Sequence, residues 1–159
     1  MRIRSLVAVF AAAAALTLGT TLPAGAVVRP AEGQDCLINI GQPGNVKIYG
    51  EYAGQAEQEY NTCDGTVWAH WQWAGAFQAH HPYSHVVVGV ESGYPGGGYW
   101  KSGPAPTSQK DVWFAGPNHS LPTPDAWRSW AAVDAGCSAL GTLHWYGGAD
   151  WDGPFDSRC

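Results

Sequence analysis

Thr66-Val67-Trp68-Ala69-His70-Trp71-Gln72-Trp73 is the stretch that decides the fold. Successive residues of an extended chain point to opposite faces, so Val67, Ala69, Trp71 and Trp73 share one face. Thr66, Trp68, His70 and Gln72 share the other. The first set is wholly apolar, and it reads as the core side of a strand. His85 to Glu91 holds Val86-Val87-Val88 and Val90, the β-branched run of a second buried strand. Outward from these two, Val46-Lys47-Ile48-Tyr49 alternates and Gln55 to Tyr60 reads as a polar partner strand. Asp111 to Ala115 is a further candidate, as is Ala139 to Tyr146 with Ala139, Gly141, Leu143 and Trp145 on one face. Short strands between Gly- and Pro-rich turns predict an all-β or β-dominated chain, folded as a small sandwich.

One segment, 124–134, has two readings. Thr123-Pro124-Asp125 resembles a helix start, with Pro at the first helical position and Gly136 suited to the end. Trp127, Trp130 and Ala131 then fall on one helical face. The same residues could instead form a hairpin with Ala139 to Tyr146. The short helix is the favoured reading. Ser92 to Lys110 is rich in Gly and Pro and is expected to be a surface loop.

The ends of the chain point to export. Arg2 and Arg4 precede an apolar run from Leu6 to Leu18, and Ala24 and Ala26 supply a small-residue cleavage pattern. Residues 1–26 therefore read as a secretory signal peptide, since a bilayer span needs about 20 apolar residues. A lead-in over 27–44 and one β-rich domain over 45–159 follow. Cleavage leaves six cationic residues against 13 acidic ones, a net charge of −7 with histidine neutral. So acidic a chain is a poor partner for nucleic acid or an anionic membrane. Cys36, Cys63, Cys137 and Cys159 are an even set, expected as two disulfides with three possible connectivities. Local pairing, Cys36–Cys63 and Cys137–Cys159, is favoured. Each loop then contributes roughly 3 kcal/mol on the chain-entropy account.

No catalytic signature emerges. Gly93 and Gly98 have phosphate-loop spacing, but Tyr99 stands where the lysine must be. No G-x-S-x-G occurs. Asp150, Asp152 and Asp156 resemble a fragment of a calcium loop without its remaining ligands. They could serve as a glycosidase acid–base pair, as could Glu57 and Glu59, but sequence does not give the separation such a pair requires. His81 and His85 would share a face in an extended segment and are weak metal candidates, with Pro82 between them against regular geometry. No cofactor is expected.

The aromatic content is the most distinctive feature, with nine Trp and seven Tyr against four Phe. Such rings join an apolar body to a polar tip and stack on the flat faces of sugars. Trp71, Trp73 and Trp145 lie on apolar strand faces and are expected in the core. Tyr94, Tyr99 and Trp100 around the Gly-rich loop, with Trp151 among Asp150, Asp152 and Gly153, are the candidate binding residues.

His81-Pro82-Tyr83-Ser84-His85-Val86-Val87-Val88 resembles an element of the lactococcin-972-like family of secreted bacteriocins, and Val112-Trp113-Phe114-Ala115-Gly116 is similar to a later segment of that family. The resemblance covers about a third of the chain beyond the leader. The spacing from Pro82 to His85 is one residue short, and the cysteines lie outside the pattern. It implies a small secreted β-sandwich with an antagonistic role, and no functional residue is carried over. The leading expectation is a secreted, non-enzymatic protein that binds cell-wall glycan, another polysaccharide or an extracellular protein through exposed aromatics. A secreted antagonist, either a toxin or an adaptor of a toxin assembly, is the main alternative, and a small hydrolase the second.

Overall fold

The computed structural model describes residues 34–93, 97–120, 126–134, 136–157 and 159. The expected signal peptide, residues 27–33 of the lead-in, Tyr94 and the Thr123–Asp125 helix start lie outside them. The chain folds into two antiparallel sheets packed face to face. One sheet has four strands in the order β1 (Leu37–Ile48), β2 (Glu51–Asn61), β3 (Thr66–Trp73), β7 (Asp111–Asn118). The other has seven. Its main path runs β11 (Ala149–Asp152), β10 (Leu143–Trp145), β8 (Ala126–Val133), β4 (His85–Ser92), β5 (Tyr99–Lys101). Two short strands complete it, with β6 (Ala105–Pro106) paired to β4 and β9 (Cys137–Leu140) paired to β8.

The core lies between the sheets and follows the alternation of β3. Val67, Ala69, Trp71 and Trp73 are all buried, facing Val86, Val88 and Val90 of β4 and Trp127, Ala131 and Val133 of β8. Trp71 meets Trp73 edge-on at 5.1 Å, and Trp73 stacks at 5.6 Å on Phe77 of the one short helix, α1 (Gly75–His80). Trp71, Trp73 and Phe77 are among the largest fully buried side chains, and rings of this size bury much apolar area each.

The structure differs from the sequence reading at four places. Trp127 to Val133 is strand β8, not helix, with Val133 opposite Cys137 and Trp130 opposite Leu140. β8 buries side chains on both faces, which removes the period-2 contrast that marks a strand. Within the expected Ser92–Lys110 loop, β5 and β6 both pair with β4. β1 begins at Leu37, inside the expected lead-in, because Gly41-Gln42-Pro43 forms an irregularity within the strand without ending it. The expected Ala139–Tyr146 strand breaks at Gly141-Thr142, where the backbone turns to bond Ser129 and Gln42.

Two disulfides fasten the edges, Cys36–Cys63 and Cys137–Cys159, in the local connectivity. The first closes the open end of the β1–β2 hairpin. Its other end is a two-residue turn with positive φ at both Tyr49 and Gly50, the twist that hairpins favour. The second draws residues 155–157 back to bridge the two sheets. Phe155 bridges Leu140 of β9, the Ser157 N–H donates to the Asn45 carbonyl of β1, and Asp156 accepts from the Asn45 backbone and side chain. Among the described residues no helix is long and apolar enough to cross a membrane.

Candidate functional sites on the two outer sheet faces

The outer face of the seven-stranded sheet carries an aromatic surface. Val86, Val88 and Val90 of β4 point inward, so Val87, Gly89 and Glu91 line the outside. Tyr99 pairs with Glu91 in register, and Trp130 with Gly89. Tyr99 stacks on Trp130 with ring centroids 4.6 Å apart and planes 13° from parallel. Gly89 makes this possible, because a Cβ there would meet the Trp130 ring at 2.8 Å. Trp130 is buried beneath, while Tyr99 remains 53% exposed. Arg128 pairs with Glu91 beside the stack, and a shallow groove of about 310 Å3 continues over Ala132, Ser138 and Leu140. Desolvation first, then the charge of Glu91, raises the Tyr99 phenol above its ordinary value of 10.

Two of the other sequence candidates behave differently. Trp100 turns inward and packs on Trp127 at 5.2 Å and on the core edge, because β5 pairs with β4 and alternates Tyr99 out and Trp100 in. It is packing, not platform. Trp151 lies on edge strand β11, 47% exposed and tilted 36° against Trp145 at 5.8 Å. Trp145 is only half-buried and sits opposite Ala126, on the parity of Arg128 and Trp130. Trp151 also lines a hollow of about 230 Å3 with Gln42, Asp150 and Asp152. Tyr99 and Trp151 thus mark opposite edges of one sheet, four inter-strand steps or about 19 Å apart.

The outer face of the four-stranded sheet is chemically unlike it. Register places Glu57 of β2, His70 of β3 and Trp113 of β7 side by side, with Glu59 and Trp68 one step along and Gln55, Gln72 and Asp111 on the other flank. His70 Nδ1 lies 2.9 Å from Glu57 Oε2 and 3.5 Å from Glu59 Oε1, and Nε2 lies 3.2 Å from Asp111 Oδ1. The ring stacks on Trp113 at 4.4 Å, 3° from parallel. Gln55 donates to Glu57 Oε1 at 2.6 Å and Gln72 to Asp111 at 3.3 Å. Burial pushes the His70 imidazole down. The hydrogen bond to Glu57, the charge of Glu59 and the bond to Asp111 together outweigh that, so its pKa is raised above 6.5.

His81 and His85 do not form a site together. α1 and the turn at Pro82-Tyr83 end the extended geometry that would align them, leaving His81 paired with Glu51 at 3.1 Å and the His85 backbone bonded to Asp134. Asp150, Asp152 and Asp156 do not converge. They serve His144, the Gly153 N–H and Asn45 respectively. A cavity of about 500 Å3 is lined by Tyr49, Phe77, His81, Ser84 and the Cys137–Cys159 pair.

Comparison with protein-family models, with curated proteins and with solved structures finds no match to this chain. The site residues are therefore read from their chemistry alone. The sequence singles out Glu57 and Glu59 as a candidate pair but gives His70, Asp111 and Trp130 no site role. The available signal was the parity of β3, which sets His70 opposite to Trp71. Strand register was the missing information.

Proposed function

We propose that this chain is an exported, non-enzymatic glycan-binding protein that engages sugar rings through the outer face of its seven-stranded sheet. The observation that carries this reading is the Tyr99–Trp130 stack: a half-exposed ring, held flat by a buried one, beside a paired carboxylate and guanidinium. A flat aromatic face takes the C–H face of a sugar, and the adjacent Glu91 and Arg128 offer acceptors and donors to its hydroxyls. Trp151 with Asp150 and Asp152 forms a second, smaller contact of the same kind. A polysaccharide several rings long would reach both. The leader-like residues 1–26 and the two disulfides support an extracellular setting.

Retention on insoluble glycans, namely cellulose, chitin and peptidoglycan, tests the reading. Tyr99→Ala is expected to weaken retention about tenfold, equivalent to roughly 1.4 kcal/mol, and Trp151→Ala by a smaller factor. Retention of the unaltered protein on none of the three glycans, or equal retention of the Tyr99→Ala variant, removes the proposal. Recovery of a stoichiometric protein partner that Tyr99→Ala releases would reassign the face to protein recognition.

A further inference from the structure

We propose that Glu57, Glu59 and His70 bind a divalent transition-metal ion of the zinc class on the outer face of the four-stranded sheet, with Asp111 orienting the imidazole from behind. An imidazolium has two N–H groups. His70 directs one to Glu57 and the other to Asp111, so Glu59 is left with only a charge contact at 3.5 Å. Glu59 is 4% exposed, and its Oε2 is buried with no hydrogen-bond partner. The charge contact with His70 offsets only part of the desolvation cost of a carboxylate oxygen in that condition. A cation at this point removes the deficit.

The geometry fits a metal. One ligand atom each from Glu57, Glu59 and His70 lies within 4.8 Å of the other two, and theirs is the sole such cluster of three among the described residues. Ligands about 2.0–2.1 Å from a tetrahedral ion stand roughly 3.4 Å apart. The distances from His70 Nδ1 to the two carboxylates, 2.9 and 3.5 Å, bracket that value. Zinc and its neighbours accept this mixed nitrogen and oxygen set, whereas calcium and magnesium prefer oxygen alone and more ligands.

The surroundings are those of a ligand set held in place. Asp111 accepts from Nε2–H, which fixes the tautomer that leaves Nδ1 free for a metal. Gln55 holds the far oxygen of Glu57, Gln72 holds Asp111, and Trp113 fixes the ring plane. Charge points the same way. Three carboxylates against one imidazolium leave a net −2, and among the described residues His70 is their sole ion-pair partner. Replacing the Nδ1 proton by a divalent ion lowers that to −1. Glu57 is the most exposed of the three ligands and gives access from solvent, with the fourth position left to water.

The site lies on the opposite sheet from the glycan face, so the two proposals fail independently. The test uses disulfide-bonded protein made from the full-length sequence, stripped with chelator, dialysed and titrated with zinc chloride in a calorimeter. One zinc per chain is expected at micromolar affinity or tighter. Asp111→Asn should weaken binding 10- to 100-fold, as loss of an outer partner does. His70→Ala and Glu59→Gln should weaken it further, and His81→Ala should have no effect. X-ray absorption at the zinc edge of the unaltered protein, which needs no variant to fold, should show one imidazole and otherwise oxygen ligands. Absence of saturable heat up to millimolar zinc overturns the proposal, as does an isotherm unchanged by His70→Ala and Glu59→Gln, or a zinc shell without imidazole.

Discussion

On the outer face of the seven-stranded sheet, alternation along β8 and β4 sets out Arg128, Trp130 and Glu91. On the outer face of the four-stranded sheet, the same alternation along β2 and β3 sets out Glu57, Glu59 and His70. Both faces carry a buried or half-buried tryptophan and ionisable neighbours. They differ in how charge is matched. Glu91 and Arg128 compensate one for one, so that face offers area and shape. Glu57, Glu59 and Asp111 share one imidazole, so the second face offers coordination. Residue type alone does not separate a stacking surface from a ligand set. The number of donors available to each acceptor does.

One core supports both faces, and Trp71 is fully buried within it. Trp71→Ala is expected to destabilise the protein by about 3–5 kcal/mol in urea unfolding, and to weaken glycan retention and zinc binding together. A loss on only one face would mean that the sheets are held separately. Next in size, Glu57→Gln in metal-free protein should cost about 2 kcal/mol, because it breaks a charge-assisted bond to His70. Glu59→Gln should be nearly neutral there, since Oε2 has no bond to lose. Equal costs would erase the distinction between the two carboxylates. On the aromatic face, a double-mutant cycle between Glu91 and Arg128 should give a coupling of about 1 kcal/mol, the pair being partly screened by water. The smallest effect belongs to neither face. The hydrogen bond from His80, opposed by desolvation and aided by the bond from His81, holds the partly exposed Glu51 carboxyl below 4.5. Its stabilisation is complete above that pH and is lost as pH falls through the lowered value. Carbon-detected NMR should show Glu51 titrating below 4.5, and His80→Ala should return it toward 4.5.

Much of this architecture was legible in eight residues of β3, whose alternation gave the core face without exception. β8 misled for a physical reason. With Trp127 buried inward and Trp130 buried outward under Tyr99, both faces carry a buried tryptophan and the spacing imitates a helix. Trp100 could not be placed from sequence because its direction depends on β5 pairing with β4 across a Gly-rich connection. Glu57 and Glu59 were visible as an i, i+2 pair. Their convergence on His70 depends on the β2–β3 register, which no local pattern encodes.

Residues 155–157 act as a stitch between β1 and β9, and the Cys137–Cys159 bond ties the knot. Cut it, and the two strands lose cover along their free hydrogen-bonding rims while the tryptophan interior stays intact. Mild reductant should therefore cause rim-to-rim polymerisation before any melting. Storage under oxidising conditions then becomes a requirement for keeping the protein monodisperse.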